Sequence, residues 1–85
     1  MKLLNKAIDM VCVFEKGNVS PIRFRIEENK ELRVIKIKKV INRGNVKVAG
    51  QEFLLFTCMV EQNNLEQICE IRFNKISTTW FLYKI

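Results

Sequence analysis

The sequence predicts an all-β fold, specifically a small antiparallel β-barrel of about six strands. Three observations lead there. Runs of β-prone residues alternate with short polar breaks along the whole chain, several runs carry period-two patterning, and only one short stretch carries helical spacing. Eighty-five residues form one domain, 1-85, able to bury a core without staples but with little stability to spare. At that size a closed or partly closed barrel, SH3-like or OB-like, removes the edges that a small open sheet would expose.

The first run is Ala7 to Phe14, closed by Glu15-Lys16-Gly17-Asn18. The second is Pro21 to Ile26, where Ile22, Phe24 and Ile26 are expected on one face and Arg23 and Arg25 on the other. Pro21 suits the first position of a strand, where a missing N–H does little harm. Glu27 to Lys30 read as a polar turn. In the next run, 31-41, Leu32 and Val34 alternate, and Ile35 and Ile37 continue one residue out of step. A β-bulge at Val34-Ile35 would bring all four to one face and bend the strand, as barrel closure needs.

Asn42-Arg43-Gly44-Asn45 carries a turn signal, Val46 to Ala49 a short strand, and Gly50-Gln51 a second break. Phe53 to Val60 is apolar on both faces and reads as a central strand. Gln62-Asn63-Asn64 is the next turn. The segment 64-73 supports two readings. Leu65, Ile68 and Cys69 have helical spacing, with Asn64 and Gln67 as a capping pair, whereas Cys69, Ile71 and Phe73 alternate with Glu70 and Arg72, which favours a strand. Thr78 to Ile85 is the last strand.

Composition narrows the function classes. The chain is 48% hydrophobic and 28% charged, as expected of a globular domain. No histidine occurs, which removes the commonest general base and metal ligand near neutral pH. No Walker A, G-x-G-x-x-G or G-x-S-x-G pattern is present. The expectation is a protein that is not an enzyme and uses no cofactor and no metal. Cys12, Cys58 and Cys69 are odd in number and form no C-x-x-C pair, so they read as small buried hydrophobes. The N-terminal run is broken by Asn5, Lys6 and Asp9 and does not read as a signal peptide, and no stretch approaches a membrane span. A cytoplasmic location without membrane association is therefore expected.

Net charge is +6, from fifteen Lys and Arg against nine acids. Between Lys16 and Lys47 lie ten of the basic residues against three acids. Pairing Phe24 with Val34 would set Arg25 opposite Arg33, and the bulge would bring Arg23 near Lys36, with Lys38 further along. Arg23, Arg25, Arg33, Lys36 and Lys38 are thus the candidate row for nucleic acid or another polyanion, including an acidic protein. The alternative is a solvated strand face. A second candidate is an apolar interface for a homodimer or a protein partner, formed by Leu54, Phe56 and Trp80, because strands apolar on both faces with no helix to cover them would leave patches exposed.

Several segments also carry a resemblance. Val11-Cys12-Val13-Phe14, Pro21-Ile22-Arg23-Phe24-Arg25, Val34-Ile35-Lys36-Ile37, Ala49-Gly50, Phe56-Thr57-Cys58, Cys69-Glu70-Ile71-Arg72-Phe73 and Trp80-Phe81-Leu82 resemble, in order, a group of uncharacterised bacterial β proteins of this length from Firmicutes. More distantly, the Pro-x-x-Phe start and the Trp-x-Leu end resemble an actinobacterial domain of unknown function sometimes attached to lesion-bypass DNA polymerases. The resemblance implies a small β domain with no established activity, and it leans toward nucleic acid by analogy.

Overall fold

Four two-residue turns set the topology. Lys16-Gly17, Asn29-Lys30, Ala49-Gly50 and Asn63-Asn64 each hold positive φ at both residues. That is the type I′ geometry, whose twist matches the flanking strands of a hairpin. In the computed structural model, which describes residues 1–85, the turns link β1 (Leu3–Glu15), β2 (Asn18–Glu28), β3 (Glu31–Val48), β4 (Gln51–Gln62) and β5 (Leu65–Asn74). A longer turn leads to β6 (Thr79–Lys84). There the Asn74 side-chain oxygen accepts from the backbone N–H groups of Ile76 (2.9 Å) and Ser77 (3.1 Å), an Asx-type turn. The strands follow in sequence order around a closed antiparallel barrel. Closure of β1 on β6 is completed by a reciprocal backbone pair between Lys2 and Ile85 at 2.7 and 2.9 Å. There is no helix, so none is long and apolar enough to cross a membrane.

The interior is filled by alternate residues of every strand. Phe24, Ile26, Phe56, Val60, Ile71 and Leu82 are among the most deeply buried. Cys58 and Cys69 face each other across β4 and β5 as free, fully buried thiols. Burial pushes Cys58 up to about 11. Burial, then the neighbouring Cys58 charge, pushes Cys69 up to about 12. Thiols that resist ionisation so strongly act as small hydrophobes.

Residues 64-73 form a strand, not a helix: Cys69, Ile71 and Phe73 point inward, while Leu65 and Ile68 are exposed. Other details differ from expectation. β2 starts at Asn18, so Pro21 lies inside it and is buried, and Ile22 is the extra residue where the β1 register slips between Val11 and Cys12. Ile22 therefore lies on the exposed side rather than with Phe24 and Ile26. A bulge suits Pro21, whose missing N–H would break a regular ladder.

β3 is bulged, but not at Val34-Ile35. The two-residue turn Asn29-Lys30 pairs Glu28 with Glu31 and so fixes Phe24 opposite Ile35. A shift of one residue exchanges faces. Ile35 and Ile37 go inside, and Leu32 and Val34 stay 60% and 67% exposed. The irregularities lie further on, at Lys38 and Ile41, where β3 meets β4. Asn42-Arg43-Gly44-Asn45 is not a turn but part of the continuous strand, paired to Thr57-Phe56-Leu55-Leu54. The turn falls at Ala49-Gly50 instead.

The two β3 bulges have an architectural consequence. The β2–β3 ladder ends at Arg23 and Lys36, and beyond it β2 residues 18–22 and β3 residues 37–48 share no pairing. On the other side, β1 pairs with β6 only as far as Ile8 and Trp80. At this end of the barrel the β1–β2 and β3–β4 hairpins therefore stand apart, with the 75–78 turn between them.

Candidate functional site

The expected basic row is only partly assembled. Arg23 and Lys36 are direct cross-strand neighbours on the outer face of β2 and β3, and neither makes an ion pair. Arg25 lies opposite Val34, not Arg33, and its guanidinium is held by Asp9 at 3.0 Å. Arg33 shares the inward side with Ile26, at the rim away from the splayed hairpins, and pairs with Glu28 at 3.3 Å. Lys38 is the bulge residue and donates to both Glu61 and Glu66 at 3.1 Å. Those two carboxylates raise its pKa above the usual ammonium value, the Glu66 hydrogen bond first. Two of the five residues thus make no ion pair, though Glu61 stands opposite Lys36 on β4, because the β2–β3 register puts Arg33 on the opposite face and local acids engage Arg25 and Lys38.

The expected interface residues point inward. Phe56 and Trp80 are 2% and 6% exposed and stack in the core with centroids 5.6 Å apart. Leu54 is half-buried and packs against that core. The outward residues of these strands cover one another. Phe53 meets Phe81 edge-on at 6.4 Å. Arg72 lies 3.4 Å over the Tyr83 ring and is tied to Glu70 at 2.8 Å.

The principal cavity, about 590 Å³, opens where the two hairpins part. Its floor is Phe56, Phe73 and Leu54, with Phe14 at the edge, and its polar groups are Asn18, Asn45, Thr78, Arg43 and Lys75. No carboxylate lines it. A cavity of this size at a barrel mouth, apolar with a few convergent polar groups, has the character of a ligand site.

Arg43 organises the cleft. β3 pairs Arg43 with the inward-facing Phe56, so its side chain is directed into the mouth. Its guanidinium lies 5.3 Å from the Phe56 centroid, close enough for a cation–π contact. Nη1 donates to the Val19 carbonyl at 2.7 Å and Nη2 to Ser20 Oγ at 3.0 Å. Val19 lies where β2 has no β3 ladder, so the arginine supplies a donor that the neighbouring strand does not. A guanidinium carries five N–H donors, and these two contacts leave others directed to solvent or ligand. A shallower recess beside it shares Asn18 and Arg43 and adds Lys16, Ser20 and Glu15.

No local sequence pattern marks this site. Arg43 was expected in a turn, and Lys75 and Phe14 carried no pattern of their own. The one available signal was the concentration of basic residues between Lys16 and Lys47, which includes Arg43. No group of three or more His, Cys, Asp or Glu side chains converges in a metal-binding arrangement. No protein-family model, curated protein or solved structure matches the chain.

Proposed function

We propose that this protein is a non-enzymatic binding module for polyanions, nucleic acid foremost, acting through the cleft at the barrel mouth. One observation carries the reading: Arg43 and Lys75 converge over an aromatic floor that contains no carboxylate. Cations over such a floor can hold phosphates without competition from a neighbouring acid. The unpaired Arg23 and Lys36 on the outer face of β2 and β3 add positive potential and steer an anionic partner inward. The absence of histidine, the commonest general base near neutral pH, supports a binding role over catalysis.

The test is binding of labelled oligonucleotides and heparin, followed by anisotropy at low and high salt. Binding should weaken steeply with salt, and Lys75→Ala should reduce the slope of log affinity against log salt by about one. Lack of binding to every polyanion at low salt overturns the reading. A second reading is self-association through the outer face of β1–β3, where Val11, Val13, Ile22 and Val34 are exposed. A dimer in sedimentation at micromolar concentration, with no polyanion binding, would favour it.

A further inference from the structure

Phe14 is the exposed aromatic of the mouth. It sits one residue before the end of β1, is 70% exposed, and meets Phe73 edge-on with centroids 6.4 Å apart. Two openings share it. One is the cleft with Arg43, and the other, about 560 Å³, lies where β1 departs from β6 and is lined by Met10, Cys12 and Trp80 among others. Open space lies on both sides of the Phe14 ring, and its exposed face can accept a second planar ring.

The polar groups around it are arranged for a strand rather than a point charge. Arg43, Asn45 and Lys47 occupy alternate positions of β3 and pair with Phe56, Leu54 and Glu52 on β4. Same-face residues lie about 6.7 Å apart along a strand, so the two cations Arg43 and Lys47 stand about 13 Å apart along a track that an extended anionic chain can follow. Asn18 and Asn45 offer amide edges that can hydrogen-bond a base. The floor lies between two hairpins, where an unpaired base enters more readily than one held in a duplex.

We infer that the cleft selects unpaired bases, with Phe14 as the stacking residue and Arg43 as a backbone contact. The ligand class is therefore single-stranded nucleic acid rather than duplex. This rests on the polyanion reading above.

The experiment compares three labelled probes of equal length on the full chain: oligothymidylate, the corresponding abasic deoxyribose-phosphate strand, and a duplex. Oligothymidylate should bind about tenfold tighter than the abasic strand, the amount expected from stacking one base. Phe14→Ala should remove that difference. Phe14→Leu, which keeps apolar bulk on Phe73 but cannot stack, should behave as Phe14→Ala does and guards against a packing defect. Equal affinity for the thymidylate and abasic strands, duplex binding as tight as single-strand binding, or wild-type preference in both Phe14 variants each overturns the inference while the polyanion reading stands. Absence of salt-sensitive binding to all three probes and to heparin overturns both.

Discussion

Arg43 Nη1 donates to the carbonyl oxygen of Val19 at 2.7 Å, across the stretch where β2 and β3 share no ladder. The contact joins the two hairpins that frame the cleft, and Ser20 Oγ accepts a second bond from the same guanidinium. Lysine keeps the charge but not the planar fork. Arg43→Lys should therefore lower stability by about 1–2 kcal/mol, read as a lower urea midpoint with unchanged m-value, and should weaken oligonucleotide binding more than Lys75→Arg does.

Phe56 belongs to the core, stacked on Trp80 and carrying Arg43 above it. Truncating a buried phenylalanine leaves a cavity and costs about 3–5 kcal/mol. Phe56→Ala should approach the total stability of a small domain and broaden the amide spectrum. Phe53→Ser, on the half-exposed outer side of the same strand, should cost much less by urea denaturation.

Arg23 and Lys36 are like charges directly opposite on the outer face. Replacing one by an acid turns repulsion into attraction, worth about 0.2–1 kcal/mol across a strand pair. Arg23→Glu should thus be neutral to slightly stabilising in thermal melts. The same variant should slow association with oligonucleotides at low salt, since a rim charge acts mainly on the on-rate.

Lys30 holds φ at 67° in the second position of a type I′ turn. A left-handed conformation costs a residue with a Cβ about 1–2 kcal/mol, while glycine returns part of that through its freer unfolded state. Lys30→Gly, creating the preferred pair after Asn29, should raise stability by about 0.5–1 kcal/mol, seen as a higher Tm.

Cys58 and Cys69 set an alkaline limit. Burial raises both thiols from about 9, to about 11 for Cys58 and about 12 for Cys69. Below pH 9 each is protonated whether folded or not, and their contribution is intact. As pH climbs toward 11–12 the unfolded thiols ionise first, so the unfolded state binds fewer protons and stability falls. Urea midpoints should decline across that window, less so in Cys58→Ala/Cys69→Ala. In the native protein near neutral pH, a thiol reagent should modify the half-buried Cys12 well before the other two.

Local chemistry determined much of this molecule. Alternation marked Phe24 with Ile26, and Cys69 with Ile71 and Phe73, as face-sharing sets, and they are the core. Polar breaks at Lys16-Gly17 and Asn63-Asn64 coincide with turns that need positive φ. Apolar neighbours around Cys58 and Cys69 marked both as buried. Period two says which residues share a face, but it does not locate a slip in phase, and a bulge changes phase without a residue type to announce it.

Tertiary pairing decided those slips. The turn at Asn29-Lys30 set Phe24 against Ile35, which sent Val34 outward and separated Arg33 from Arg25. The length of β4 drew Asn42 through Asn45 into β3 despite their turn-like composition, because pairing to Thr57-Phe56-Leu55-Leu54 satisfies their backbone. The cleft depends on those choices. Its walls come from residues 14–19, 43–45, 54–56 and 73–78, far apart in the chain, and they meet where β2 and β3 part beyond the end of their ladder at Arg23 and Lys36. Arg43 became a mouth residue through its register opposite Phe56, a relation between strands that no local pattern in the sequence encodes.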